Sequence, residues 1–195
     1  MEETEIEEQR YGRNKDTQIN LSYIDSGEYR RKFDLLSGDP ELNKLIYQLA
    51  KKILKHRSGT KFEDMYWINS ETKSVVAQVI DSCIEGKIVY PEHVKKAIKN
   101  YEKLITVHSH PAGLAPSIAD FNSNYEQNYY LGIVVGHNGK VFTYSSNEFI
   151  SEEYFDLKVA MFKKKGYNES EARIKVIEYC CEHFDITYKE VILDD

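Results

Sequence analysis

Apolar positions along the chain change their spacing several times, and each change marks an expected element. From residue 40 to about 56, Leu42, Leu45, Ile46, Leu49, Ile53 and Leu54 recur at the three- and four-residue spacing of one helical stripe. Asp39 can cap this helix, Pro40 suits its first turn, and the turn-like RSGT ends it. FEDMYWINSETKSVVAQVIDS reads as two strands joined by the polar turn NSETK, with Met65, Trp67 and the run from Val75 to Ile80 as strand formers. Helical spacing returns after Pro91 in Val94, Ala97, Ile98 and Tyr101, and LITVHSH then switches to strand character. SIADFNSNYEQN predicts a short helix, and YYLGIVVGHNGKVFTYSS predicts two strands around an Asn138-Gly139 turn. The remainder reads as helical: one helix ends at Gly166, and Asn168 caps another that runs to about His183.

This order predicts an α/β or α+β sandwich with mixed strand pairing. Residues 1–33 are acidic and poor in periodic apolar positions, so they are expected to form a mobile N-terminal arm, its end pinned by Tyr23, Ile24, Tyr29 and Phe33. Residues 34–150 form the main domain, and residues 151–195 a C-terminal helical extension that offers a surface for oligomerisation.

Composition narrows the function classes. The chain of 195 residues is 41% hydrophobic and 30% charged, which suits one globular domain. Apolar runs such as YYLGIVVG are too short to span a bilayer, and MEETEIEEQRYGRNKD lacks the basic start and apolar core of a signal peptide. Three cysteines without C-x-x-C spacing argue against a disulfide framework, so a reducing, cytoplasmic setting is expected. A net charge of -6, with KHR at 55–57 and KKK at 163–165 as the dense basic clusters, weighs against nucleic acid as a partner.

The chemistry concentrates in VHSHPAGLAPSIADF, residues 107–121. Strand alternation points His108 and His110 to one face, with Thr106 behind them and Ser109 opposite. Pro111, Gly113 and Pro116 then turn the chain, which can return the Asp120 carboxylate to the same point. Two imidazoles and a carboxylate make the donor set of a catalytic zinc site, with a fourth position left for water. Ser117 and Asp120 also have the spacing of a helix cap, and the two roles are compatible because a helix N-terminus favours a carboxylate. His56, His93 and His137 fall at turns or helix ends, where exposure is the usual outcome, and His183 lies near a helix C-terminus, which favours a partly positive imidazole, while Tyr129 and Tyr130 could line a substrate groove.

H-S-H-P followed by Ser117 and Asp120 resembles the signature of JAMM metalloproteases, also called MPN+ or JAB domains: an upstream Glu, then H-[ST]-H-x7-S-x-x-D. One departure is visible, since six residues rather than seven separate His110 from Ser117. HSHPAG is similar to the HNHPSG of RadC-type proteins, and HRSGTKFED is similar to JAB variants of bacterial toxin and phage-associated proteins. The resemblance covers about residues 40–150. It implies an MPN-type, cytidine deaminase-like mixed sheet flanked by helices, and a Zn2+ ion held by His108, His110 and Asp120. It places a catalytic glutamate just after the first helix, which is Glu63 here with Asp64 as rival, and gives Ser117 the role of oxyanion donor. The implied activity is hydrolysis of a peptide or isopeptide bond in a protein substrate, typically at the C-terminus of a ubiquitin-like protein. Two other readings stand beside it: a non-catalytic MPN scaffold, and a RadC-like role near DNA, against which the acidity weighs.

Overall fold

The computed structural model describes residues 14–193. A 3-10 turn at Lys15–Thr17 and two short helices, α1 (Leu21–Ile24) and α2 (Gly27–Asp34), precede the long helix α3 (Pro40–Arg57). The hairpin β1 (Met65–Asn69) and β2 (Ser74–Val79) follows, then α4 (Glu92–Ile98), β3 (Leu104–His110) and α5 (Ile118–Glu126). A second hairpin, β4 (Leu131–Gly136) and β5 (Val141–Ser146), leads to α6 (Glu152–Lys164), α7 (Glu169–His183) and β6 (Ile186–Glu190). The strands form one sheet in the order β2-β1-β3-β4-β5-β6, antiparallel except for the parallel pair β3 and β4. That parallel pair requires a crossover, and α5 supplies it.

Alternation sorts the central strands between two faces. Tyr66 and Ile68 of β1, Ile105 and Val107 of β3, and Ile133 and Val135 of β4 pack with the stripe of α3, Ile46, Leu49, Ile53 and Leu54 among it. Asp39 caps α3 as its sequence predicts, accepting from the amides of Glu41 and Leu42. The other face carries two clusters. Met65, Trp67 and Leu104 pack with Val94 and Ile98 of α4, while Val134, Phe142 and Tyr144 pack with α5, α6 and α7.

Two expectations are corrected. Residues 1–13 of the expected arm lie outside the described residues; Ile24, Tyr29 and Phe33 are fully buried, as the expected pinning of its end requires, with the Tyr29 and Phe33 rings 5.2 Å apart edge to face, but packing begins further upstream, where Thr17 is already buried. Asn20 and Ser26 cap α1 and α2, and Tyr29 and Phe33, four residues apart, form the buried side of α2. The C-terminal segment is not purely helical either, since Ile186–Glu190 pairs with β5 as an edge strand. Ile186 is buried and the next four residues alternate between exposed and half-buried, an edge-strand pattern too short to stand out beside α7. Because α6, α7 and β6 share a core with β4 and β5, the segment is built into the sheet rather than appended to it.

A buried ion pair ties the end of α3 to the start of β1. The Asp64 carboxylate accepts from Arg57 Nε through one oxygen and meets His56 Nδ1 at 2.6 Å through the other. Arg57 is fully buried, and its two terminal nitrogens have no other partner among the described residues. Asp64→Ala strands that cation in the core. Urea unfolding of this variant is expected to show a loss of about 3–5 kcal/mol; a loss below about 1 kcal/mol would mean the pair does not hold α3 to the sheet.

Candidate metal centre

β3 delivers both histidines because it is paired on either side, antiparallel to β1 and parallel to β4, and cannot turn about its axis. Met65 lies opposite His108 and Trp67 opposite Thr106. The same register continues upstream, where the Asp64 amide donates to Ser109 Oγ at 3.3 Å and the Ser109 amide donates to the Asp64 carbonyl at 3.2 Å. Glu63 is thereby carried to the face of His108 and His110, and Asp64 to the α3 face. The sequence left these two acids as rivals; their partners separate them, since Asp64 is held by Arg57 and His56 while Glu63 borders the cleft over the histidines.

Beyond His110 the chain reverses. The Gly113 amide donates to the His110 carbonyl at 2.9 Å, and Gly113 has φ +67° with the Asn138 amide where a Cβ would lie. Asn138 Nδ2 donates to the Gly113 carbonyl at 3.2 Å, so the β4–β5 hairpin tip braces the turn, and only glycine fits beneath it. The chain then enters α5 through a reciprocal cap. Ser117 Oγ accepts from the Asp120 amide at 3.3 Å, and Asp120 Oδ2 accepts from the Ser117 amide at 2.6 Å and from its hydroxyl at 2.8 Å. Oδ1 of Asp120 is left to face His108.

Two imidazole nitrogens and the two oxygens of the Asp120 carboxylate converge. His108 Nε2 and His110 Nε2 are 3.1 Å apart, His108 Nε2 is 3.2 Å from Asp120 Oδ1, and His110 Nε2 is 3.4 Å from Asp120 Oδ2. A tetrahedral zinc with arms of about 2.0–2.1 Å needs donors about 3.3–3.4 Å apart. The spacing and the donor chemistry therefore fit a zinc ion, and the three residues form the one such group among the described residues. His110 Nδ1 lies 3.0 Å from the Leu114 carbonyl, which fixes its proton there and leaves Nε2 free to coordinate. The Tyr144 ring stands edge-on to His108 with centroids 6.4 Å apart. A Cβ on Gly132 would strike that ring, so this strand glycine lets Tyr144 lie across β4.

Burial opposes charge on His110, but the hydrogen bond and charge of Asp120, with the Glu63 carboxylate beside it, push its pKa up to about 9. Burial also opposes the charge on Asp120, yet His108 and His110 hold it well below the usual carboxylate range. Glu63 moves the other way: burial raises it above an ordinary glutamate against the pull of the two histidines. The centre thus favours a positive charge at its middle and keeps one carboxyl poised to exchange a proton.

A cleft of about 970 Å3 lies over these groups, bordered by Glu63, His108, His110, Ser117 and Asp120. All five residues expected to form the site are brought to it. Tyr129 also borders the cleft and accepts from Trp67 Nε1 at 2.8 Å, whereas Tyr130 is exposed and away from it. His56 and His93 are exposed as expected, but His137 is not: it is 3% exposed, with Nδ1 2.6 Å from the Thr17 carbonyl, and burial lowers its pKa. The segment before α1 covers this turn histidine, which local sequence could not reveal. Sequence reading also missed the Leu114 carbonyl and the brace from Asn138; a backbone acceptor leaves no trace in residue type, and Asn138 was read only as a turn former.

Comparison with protein-family models, curated proteins and solved structures finds no significant match to this chain.

A zinc ion held at this site would displace the proton on His110. Because that proton is held up to a pH of about 9, zinc affinity is expected to rise with pH between 6 and 8, roughly tenfold per pH unit for one displaced proton. Competition titrations with a chromophoric chelator at several pH values measure this; a flat profile would show that His110 is not protonated in the metal-free site.

Proposed function

We propose that the protein is a zinc-dependent hydrolase of the JAMM type that cleaves a peptide or isopeptide bond in a protein substrate. The observation that carries this reading is the convergence of His108, His110 and Asp120 at coordination spacing, with Glu63 bordering the same cleft. The mixed sheet with α3 on one face and the centre on the other is in keeping with an MPN-type, cytidine deaminase-like arrangement.

The chain's own residues divide the work. His108, His110 and Asp120 hold the ion. Zinc, when bound, supplies Lewis acidity, which brings the pKa of water toward neutrality and polarises an amide carbonyl. Glu63, with its pKa raised by burial, takes a proton from the attacking water and returns it to the departing amine. The Ser117 hydroxyl has one proton, held in the cap by Asp120 Oδ2. Turning that proton toward the developing oxyanion costs Asp120 little, because the Ser117 amide still donates to the same oxygen at 2.6 Å.

Purified protein is expected to carry about one zinc per chain by elemental analysis, and His108→Ala to lose it. Glu63→Gln is expected to retain zinc while its cleavage of susceptible protein conjugates or peptides falls about 10²–10⁴-fold. Glu63→Gln cutting at the wild-type rate would remove Glu63 from this role, and metal-free wild-type protein would point to a scaffold instead.

A further inference from the structure

We infer that the cleft selects extended peptide segments with bulky apolar side chains on both sides of the scissile bond, read by Ile88 on one wall and Ile174 of α7 on the other. This rests on the hydrolase reading above and gives it a substrate class.

The sheet order carries the argument. β3 bears the histidines and lies between β1 and β4. On this face, the β1 side packs with β2 and α4, and the β4 side packs with β5, α5, α6 and α7, so the sheet carries two separate apolar clusters. The metal ligands sit between them. The cleft takes walls from both: Met65, Ile88 and Tyr129 from the first, and Phe155 and Ile177 from the second, with Ile174, one turn before Ile177 on α7, also in the lining. Ile88 and Ile174 are only half-buried, so each presents apolar surface to whatever enters.

Several rim charges are already paired and ask little of a ligand, although Lys87 and Glu126 also line the cleft. Lys61 meets Glu85 at 3.5 Å beside the first wall, and Arg173 meets Glu169 at 3.0 Å beside the second. The volume of about 970 Å3 lies at the upper end of the range of roughly 300–1,000 Å3 for ligand pockets. A Gly-Gly tail of the ubiquitin-like kind would leave both apolar walls unfilled. A peptide with its scissile amide at the ligands must lay its flanking residues against those walls. Apolar side chains gain there by leaving water, whereas polar ones lose hydrogen bonds that the walls cannot replace.

The test uses the zinc-loaded chain carrying Glu63→Gln, so that bound peptide stays intact, and two fluorescein-labelled decapeptides that differ only in a central Leu-Phe or Gly-Gly pair. Anisotropy is expected to show at least tenfold tighter binding of the Leu-Phe peptide. Ile88→Asp and Ile174→Asp are each expected to remove most of that preference with zinc content unchanged. Should either fail to fold, Ile88→Ala and Ile174→Ala must move the preference in the same direction. Equal or tighter binding of the Gly-Gly peptide, or a preference untouched by all four substitutions, overturns the inference. Cleavage of the same peptides by the unsubstituted zinc enzyme is scored separately. Apolar preference without cutting leaves the selectivity standing and removes the hydrolase reading; cutting without preference does the reverse.

Discussion

With Met65 opposite His108, the pairing of β1 and β3 leaves no freedom in where the acids before β1 can go: Asp64 meets Ser109, and Glu63 joins the face of the two histidines. A slip of one residue would send Asp64 into the cleft and Glu63 toward α3, and would turn Tyr66 and Ile68 away from the helix they cover. Register is therefore as much a part of the centre as the ligands are. Apolar alternation alone specifies it only weakly here, because all five residues of β1 are buried and both faces are lined with hydrophobic side chains. The buried pair of Asp64 with Arg57 adds what alternation lacks. Burying two charges is seldom worth much net stability, but an arginine fixed at the end of α3 accepts a carboxylate in one register and not in the neighbouring one.

Gathering two imidazoles and two carboxylates in a largely buried cleft is costly unless something charged or hydrogen-bonded answers each group. The structure answers them unequally. Asp120 receives two donors from Ser117 at the N-terminus of α5, where a negative charge is favoured, as well as both imidazoles. His110 gives its outer nitrogen to the Leu114 carbonyl. Glu63 receives no such support, and its affinity for a proton rises accordingly. One carboxylate is built to stay ionised and the other to exchange a proton, a division that follows from which of them both imidazoles bond: His108 and His110 hold Asp120 down, whereas burial outweighs their pull on Glu63.

The sequence carried the site more plainly than it carried the frame around it. H-S-H is legible because strand period and ligand chemistry coincide in three residues, and S-I-A-D because a cap and a carboxylate coincide in four. The long stripe of α3 and the Asn138-Gly139 hairpin were equally plain, since each is a local pattern with one good structural solution. What stayed hidden depends on distant contacts. α1 and α2 hold through Ile24, Tyr29 and Phe33 docking on α3, β6 through pairing with β5, and the burial of His137 through a carbonyl 120 residues away. Each of these segments carries only two or three patterned residues, so its distant partners rather than its own spacing decide its structure.

The turn between His110 and Ser117 is one residue shorter than in the signature it resembles, and two fixed spacings confine that difference to the turn. Ser117 and Asp120 cannot change their separation, because N-cap and N3 of a helix are three residues apart and each completes the hydrogen bonds of the other. His108 and His110 cannot change theirs either, because two residues is the strand repeat. Any difference in length must fall in PAGLAP, which is where it does fall. Within that turn, Gly113 adopts a left-handed conformation under Asn138, and the Leu114 carbonyl comes to rest on His110 Nδ1. The short turn is thus tied at both of its inner residues, one to the hairpin tip and the other to a ligand. It returns the chain to α5 with Asp120 at coordination distance from both imidazoles.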